Sequence, residues 1–261
     1  MRSLPAVITE GAIPLVVTAI HAGSAMRSSL RSLSGLSAAE RFREEDPFTD
    51  QWTAISDNRI IGTRSRFEVD LNRPPTKAVY RTPEDCWGLP VWKEDLPMHE
   101  VEHSMVAYDA FYAGVEALLI RLLTRHERVV IYDIHSYNHQ RKGPGILDDP
   151  ELNPEVNLGT AHMHHDAWSA VVEALAQALR HGSDGRMHDV RENVKFKGGY
   201  FSQWLHQRFG ARVCPVAIEF KKVFMNEWTG APDPYAVADI AKRLAASVPR
   251  VLEHLNSPAH A

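Results

Sequence analysis

Short apolar runs that end abruptly in polar residues recur along the chain. Each run is rich in β-branched side chains and is shorter than a typical helix, which predicts a buried strand. Three of these runs span residues 13–20, 129–134 and 213–220. The first leads into His21, the second leads into His135, and the third carries Glu219 next to its end. Because α/β sheets bind ligands at the carboxyl ends of their strands, we expect these side chains to meet at one edge.

Helical periodicity is clearest between residues 100 and 126, where apolar side chains recur every three or four positions. Ser37 and Glu40 have the spacing of a capping box, which predicts a helix start. The other predicted helices cover residues 166–181, 200–209 and 235–255, and two short strands cover 59–62 and 156–159. Strict alternation of apolar and polar residues from 67 to 71 predicts one more strand, followed by an irregular segment to about residue 97.

The order of these elements predicts one fold class. Strands alternate with helices, which is typical of an α/β protein with parallel strands. No internal repeat, low-complexity tract or linker divides the sequence. We therefore expect residues 1–261 to form a single three-layer α/β/α domain around a mostly parallel mixed sheet.

Composition and charge narrow the range of functions. The chain has 261 residues and a formal net charge of −4, which argues against nucleic-acid binding as its main task. The longest apolar run near the N-terminus, residues 12–20, is too short to span a bilayer and lacks a convincing signal-peptide arrangement. Cys86 and Cys214 form no CxxC pair, which is typical of ordinary thiols in a reducing compartment. The sequence thus predicts a cytoplasmic protein without a nucleic-acid or membrane partner.

Two histidines with a carboxylate are a ligand set of catalytic zinc. His21 and His135 fit this set because each follows a predicted strand of the same sheet. Asp133 lies on the same strand face as His135 and is expected to orient its imidazole or an arginine, and it is only a minor candidate for the metal itself. The acidic ligand stays open among four residues: Glu44, Glu45, Asp46 and Asp50.

Glu219 suits the role of a general base. It ends an apolar strand, where partial burial tunes the pKa of a carboxyl group. A metal lowers the pKa of bound water to about 7, and a separate carboxylate can then take its proton. The alternative for Glu219 is a salt bridge with Lys221, Lys222 or an arginine.

Anion-binding groups cluster around the segment that ends at residue 73. Three arginines lie there: Arg64, Arg66 and Arg73. A guanidinium group clamps a carboxylate through two parallel hydrogen bonds, so this cluster, with Asn72 beside it, favours an anionic substrate or transition state. Internal pairing with Glu68 and Asp70 is the alternative, and it would occupy two of the three arginines.

Other polar residues permit two interpretations. Tyr200 follows Gly198-Gly199 and is either a phenolic donor that closes over substrate or a residue that packs a helix start. Three more histidines precede a predicted helix without an acidic or cysteine partner, and we assign them to the surface: His162, His164 and His165.

Together the motifs resemble a known family. Residues 70–73, Asp-Leu-Asn-Arg, resemble the element of zinc carboxypeptidases that holds a substrate carboxylate. Residues 134–137 resemble the His-Ser metal-ligand strand of those enzymes, and Ile218-Glu219 resembles their general-base strand. The ordered series from His21-Ala22-Gly23 to residue 227 is similar to the N-formylglutamate amidohydrolase family.

The resemblance implies a zinc carboxypeptidase-like fold that hydrolyses an amide beside a carboxylate. It implies one Zn²⁺ ion bound by His21, Asp46 and His135, with Asp50 or Glu45 as alternatives to Asp46 for the acidic ligand. It further implies that Glu219 is the general base, that Arg66 steadies a carboxylate or the oxyanion, and that a small anionic amide is the substrate. Four residues are expected to bind that substrate: Asn72 and Arg73 from the family motif, and Arg64 and Tyr200 from their neighbourhood.

The sequence departs from these relatives at two places. Ser24 stands where carboxypeptidases have a glutamate, so the acidic ligand must come from further along the chain. Residues 45–50 differ from the Asp-Thr-Asp-Trp form of the deformylases of histidine breakdown, which leaves the acyl group open. The expected function is a zinc-dependent amidohydrolase that cleaves a small N-acyl amino acid such as N-formylglutamate. The alternatives are a carboxypeptidase-like peptide hydrolase and a non-catalytic binding protein on the same fold.

Overall fold

The computed structural model describes residues 5–256. The strands in this range are β1 (Ala6–Thr9), β2 (Leu15–Ala19), β3 (Asn58–Gly62), β4 (Val129–Tyr137), β5 (Val156–Gly159), β6 (Val190–Glu192) and β7 (Val213–Lys221). The α-helices are α1 (Ser28–Leu33), α2 (Ala38–Glu44), α3 (Thr49–Trp52), α4 (Met98–Arg125), α5 (His165–Arg180), α6 (Tyr200–Phe209) and α7 (Pro234–Asn256).

All seven of these strands form one mixed sheet in the order β1-β3-β2-β4-β7-β5-β6. The central strands β3, β2, β4 and β7 run parallel, whereas β1 is antiparallel to β3 and β5 is antiparallel to β7. Every residue of β2 and β4 is buried, because helices cover both faces of a parallel sheet. The predicted α/β fold with a mostly parallel mixed sheet is confirmed.

The two faces of the sheet pack against different helices. On β4, Val130, Tyr132 and Ile134 contact the apolar cluster that includes residues of α5 and α7. Val129 and Ile131 point to the other face and join the cluster formed with α4 and α6. The alternation of β4 side chains between two apolar layers is why its sequence is a continuous apolar run.

The long helices agree with the apolar periodicity. The bounds of α4, α5, α6 and α7 lie within two residues of those predicted. The capping box at α2 is confirmed: Glu40 N donates to Ser37 Oγ at 3.2 Å, and Ser37 N donates to Glu40 Oε2 at 2.7 Å. No helix between residues 5 and 256 combines the length and apolarity needed to cross a membrane.

The strand predicted from residue 67 to residue 71 is wrong. The chain forms turns there, and the carboxylates of Glu68 and Asp70 are buried with exposures of 1% and 0%. Glu68 accepts hydrogen bonds from Arg27, and Asp70 contacts His21. Alternation predicts a strand when its polar face meets solvent, whereas here the polar face meets partners inside the protein.

Candidate active site

A cavity of about 490 Å³ lies at the carboxyl edge of the central strands. This volume is within the range of small-molecule sites. His21 follows β2, His135 lies near the end of β4, and Glu219 lies near the end of β7; all three line the cavity. The structure therefore brings the three predicted strand ends to one place.

His21, Asp46 and His135 form a buried group on the wall of this cavity. One ligand atom from each residue lies within 4.8 Å of the other two. Asp46 Oδ2 is 3.0 Å from His135 Nδ1 and 3.6 Å from His21 Nδ1. The three side chains are therefore close enough together to be compatible with a metal site. Three protein ligands would leave one position open, as in catalytic zinc sites.

Each histidine of this group is held by a second carboxylate. His21 Nε2 lies 2.7 Å from Asp70 Oδ1, and His135 Nε2 lies 3.0 Å from Asp133 Oδ2. The contact between Asp133 and His135 is the one predicted from their shared strand face. Because both Nε2 atoms face these carboxylates, both rings present Nδ1 toward the third member of the group, as metal-binding histidines do.

The electrostatics of this group favour a cation. His21 Nδ1 is buried and has no hydrogen-bond partner within residues 5–256. Burial opposes a charge on His135, but the Asp133 carboxylate raises its pKa well above the ordinary value. Burial also opposes ionisation of Asp46, but its contacts with His135 and His21 lower its pKa. An ionised carboxylate beside two imidazoles, one with an unused nitrogen, fits a bound metal ion.

Glu219 is the register partner of His135 across the β4–β7 pair. It is 9% exposed, and within the described part of the chain its carboxylate forms no hydrogen bond or ion pair. The alternative of a salt bridge with Lys221 or Lys222 is therefore not realised, and Lys222 donates to main-chain oxygens instead. Burial raises the pKa of Glu219 to about 7, against the opposing effect of the His135 charge. Such a carboxyl group can accept and release a proton near neutral pH.

Arg66 is a fixed cation on the cavity wall. Its Nη2 donates to Asp70 Oδ2 at 2.9 Å, and its Nε donates to Tyr80 Oη at 3.3 Å. The Trp87 ring lies 4.9 Å from its guanidinium carbon. Burial opposes the charge, but Tyr80 and Asp70 raise the pKa of Arg66 well above its ordinary value. Its position and permanent charge suit stabilisation of a negative oxygen.

Asn72 is held against the start of α6. Its Oδ1 accepts a hydrogen bond from Phe201 N at 3.0 Å, and its main-chain oxygen accepts one from Tyr200 N at 3.3 Å. A Cβ atom at Gly199 would lie 2.1 Å from Asn72 Oδ1, so a larger residue there would displace the Asn72 amide group. Because Oδ1 is occupied, the Nδ2 amide group remains available to donate to a substrate.

Arg73 and Tyr200 also line the cavity. The Arg73 side chain is 42% exposed, and its Nε lies 3.9 Å from Asp70 Oδ2. The guanidinium is therefore loosely paired and open to an anionic ligand. Tyr200 packs near Tyr112, with 6.1 Å between ring centroids, while it borders the cavity. Both interpretations offered for Tyr200 thus match its surroundings.

The substrate-binding prediction for Arg64 needs correction. Arg64 is not among the residues that line the cavity. Its guanidinium lies 3.8 Å from the buried carboxylate of Glu68, which Arg27 also contacts at 2.9 Å. Internal pairing, the alternative given for this cluster, describes Arg64, because the buried Glu68 carboxylate attracts its charge away from the cavity.

The structure separates the four residues considered for the acidic ligand: Glu44, Glu45, Asp46 and Asp50. Of these, Asp46 lies in the buried group with both histidines. Glu44 lines the cavity, but its carboxylate pairs with Arg141 at 3.0 Å. Glu45 accepts a hydrogen bond from Ser65 Oγ at 2.5 Å, and Asp50 is exposed on α3. Asp46 N donates to His21 O at 3.0 Å, which holds this ligand beside the first histidine.

Sequence reasoning missed several contributors to the site. Ser136 Oγ donates to Asp46 Oδ1 at 3.2 Å. Asp70 was interpreted only as a partner of the arginines, but it also contacts His21. Its position directly before Leu71-Asn72, in the family motif, could have indicated a role in the site. Trp87 borders the cavity, and it lies in the Pro- and Trp-containing irregular segment, whose composition is typical of a loop that walls a pocket.

The three histidines close to the start of α5 have different surroundings. His164 and His165 are exposed, as predicted. His162 lines the cavity, which corrects its assignment to the surface. Burial, with a smaller effect from His206, lowers the pKa of His162, so its imidazole is predominantly neutral at pH 7.

Comparisons with known proteins agree with this fold. Residues 13–225 match the sequence profile of the N-formylglutamate amidohydrolase family. The crystal structure of N-formylglutamate amidohydrolase from Ralstonia eutropha is 18% identical, with a TM-score of 0.77 over 97% of this chain and 98% of that chain. The crystal structure of a gene product from Agrobacterium tumefaciens is 17% identical, with a TM-score of 0.66 over 98% of this chain and 97% of that chain. A search of curated proteins found no match.

Proposed function

Because the chain belongs to the N-formylglutamate amidohydrolase family, which indicates a hydrolase acting on an amide, we propose that it is a zinc-dependent amidohydrolase. Its substrate in this proposal is a small N-acyl amino acid such as N-formylglutamate. The observation that carries the proposal is the convergence of His21, Asp46 and His135 beside the carboxylate of Glu219, which is unpaired within residues 5–256. The family resemblance given by the sequence motifs is confirmed by the match over residues 13–225.

The three clustered residues His21, Asp46 and His135 would hold the metal. When bound there, zinc would supply Lewis acidity and lower the pKa of a bound water to about 7. Glu219 accepts a proton from the attacking water and passes it to the leaving nitrogen. Its burial and its lack of a partner within residues 5–256 leave the carboxylate ready for both transfers.

Arg66 provides positive charge for the oxygen of the scissile carbonyl. Its hydrogen bonds to Asp70 and Tyr80 fix the guanidinium before the reaction starts. A preorganised donor of this kind stabilises an oxyanion without reorganisation at the moment of reaction. The same Asp70 carboxylate also contacts His21, so the oxyanion donor and the metal ligand share one anchor.

Asn72 and Arg73 bind the substrate carboxylate in this proposal. Asn72 offers its Nδ2 group, and Arg73 offers an exposed guanidinium. A carboxylate bound by a guanidinium gains two parallel, charge-assisted hydrogen bonds. A substrate held at its carboxylate would present the neighbouring amide to Glu219.

An Arg73→Ala substitution is expected to raise KM for N-formyl-L-glutamate by about 10- to 100-fold with a smaller change in kcat, since hydrogen bonds to charged groups contribute about 1.5–3 kcal/mol. Steady-state kinetics of the zinc-loaded protein measure both constants. Arg250→Ala, which removes an exposed arginine of α7, serves as the matched control. An unchanged KM in the Arg73 variant would contradict carboxylate binding by this residue.

A substrate panel tests the proposed function. The purified, zinc-loaded protein is incubated with N-formyl-L-glutamate, N-acetyl-L-glutamate and a short peptide with a free C-terminus, and the release of amino acid is measured. We expect turnover of at least one N-acyl amino acid and no cleavage of the peptide. Peptide cleavage alone would favour the carboxypeptidase-like alternative, and binding without turnover would favour the binding protein.

A further inference from the structure

The buried amine of Lys222 has no part in the reaction proposed above. Lys222 is 1% exposed, although lysine is almost never fully buried unless it is paired. Its Nζ donates hydrogen bonds to Arg43 O at 2.5 Å and to Glu45 O at 2.7 Å. Among residues 5–256 it forms no ion pair with a carboxylate. Its direct partners are therefore two main-chain oxygens of one short segment.

That segment joins the end of α2 to Asp46. The last carbonyl oxygens of a helix have no partner inside the helix and carry partial negative charge. At the end of α2, Lys222 Nζ donates to the main-chain oxygen of Arg43, and Arg66 Nη1 donates to the main-chain oxygen of Glu44 at 3.4 Å. The oxygen of Glu45, which Lys222 also binds, belongs to the peptide group that leads directly into Asp46. Lys222 thus fixes the backbone immediately before the acidic ligand.

Asp46 is attached to the ends of three central strands. Asp46 N donates to His21 O at 3.0 Å, just beyond β2. Ser136 Oγ, from β4, donates to its carboxylate at 3.2 Å. Lys222, which directly follows β7, supplies the third attachment through Glu45 O. His135 Nδ1, also from β4, lies 3.0 Å from Asp46 Oδ2. Lys222 differs from the other attachments because its ammonium group holds the backbone before Asp46 at two points, Arg43 O and Glu45 O.

We propose that Lys222 is a positioning residue that sets Asp46 for metal binding by tying the end of α2 to the end of β7. This inference rests on the proposed function, because it requires Asp46 to be a metal ligand. Glu219 lies three residues before Lys222, so the same connection fixes the acidic ligand relative to the general base.

The direction of the change in Zn²⁺ affinity distinguishes a positioning role of Lys222 from a simple effect of its charge. An ammonium group close to a divalent cation repels it, so loss of the charge alone should tighten metal binding. Loss of a positioning contact should weaken metal binding, and substitutions of groups that orient ligands typically cost 10- to 100-fold in affinity. The two explanations therefore predict opposite changes for the same substitution.

The test measures Zn²⁺ affinity by competition with a chromophoric chelator, using metal-free full-length protein. We expect Lys222→Met to weaken binding by about 10- to 100-fold, and Lys222→Arg, which keeps the charged donors, to retain more of the affinity. Lys221→Met is the matched control, because Lys221 lies next in sequence but does not line the cavity, and it should bind Zn²⁺ like the wild type. Circular dichroism and thermal unfolding of the metal-free proteins establish that each variant is folded.

Unchanged or tighter Zn²⁺ binding by a folded Lys222→Met protein overturns the proposal. If that variant does not fold, Lys222→Gln replaces it, because its shorter amide cannot span both carbonyl oxygens; a reduced affinity is again expected, and an unchanged one again overturns the proposal. Failure of the wild type to bind Zn²⁺ would instead contradict the metal site itself. The two failures are therefore distinguishable.

Discussion

A Glu219→Gln substitution is expected to lower kcat for N-formyl-L-glutamate by about 10²- to 10⁴-fold, the usual contribution of a general base. Glutamine keeps the size of the side chain but cannot take a proton from water. Glu219 has no hydrogen bond or ion pair within residues 5–256, so its replacement leaves no buried partner unsatisfied. The folded structure and the Zn²⁺ affinity should therefore change little.

Turnover is measured as released amino acid, and Zn²⁺ affinity is measured by competition with a chelator. Together they distinguish a loss of catalysis from a loss of metal binding. Glu102→Gln, on the exposed surface of α4, is the matched control and should retain wild-type turnover. Near-normal turnover by the Glu219 variant would exclude this carboxylate as the general base. A parallel loss of Zn²⁺ binding would instead assign Glu219 to the metal site.

Substitution of a metal ligand is expected to remove both Zn²⁺ binding and hydrolysis. His135→Ala deletes one ligand of the three-residue set, and Asp46→Asn replaces its anionic ligand with a neutral amide oxygen, so neither variant should fix the ion in a catalytic geometry. His165→Ala, which removes an exposed histidine at the start of α5, is the matched control. Metal content and turnover measured on the same preparations should fall together.

The residues that hold the histidines should give a smaller effect. Asp133→Asn keeps the shape of the side chain that contacts His135 but removes its charge. We expect Zn²⁺ affinity to fall by about 10- to 100-fold, as is typical for groups that orient metal ligands. Wild-type affinity in this variant, or retained Zn²⁺ in Asp46→Asn, would contradict the assigned ligand geometry.

The sequence predicted secondary structure best where a local pattern of apolar residues is compatible with only one kind of element. Buried parallel strands are continuous apolar runs, so β2, β4 and β7 and the polar residues at their ends could be recognised directly. Long amphipathic helices repeat their pattern often enough to fix their limits. β1 and β6 were not predicted, because edge strands of four and three residues carry too few positions for a period to emerge.

Residue patterns alone were least informative where the partner of a side chain is distant in sequence. Asp46 meets His135 across an interval of 89 residues, and only the family resemblance favoured it over Glu45. The polar residues after residue 63 were interpreted as the polar face of a strand, yet Asp70 is wholly buried by contacts that include His21. Arg64 could not be separated from Arg66 for the same reason, since buried carboxylates decide which guanidinium faces the cavity.

The buried group of His21, Asp46 and His135 should make amide hydrolysis depend on zinc. The most direct measurement is the hydrolysis of N-formyl-L-glutamate by metal-free wild-type protein during titration with Zn²⁺. Activity should be absent at the start, rise with added Zn²⁺ and reach its plateau at one ion per chain. Full turnover by the metal-free protein, or no turnover of any N-acyl amino acid after one Zn²⁺ has bound, would contradict the proposed function.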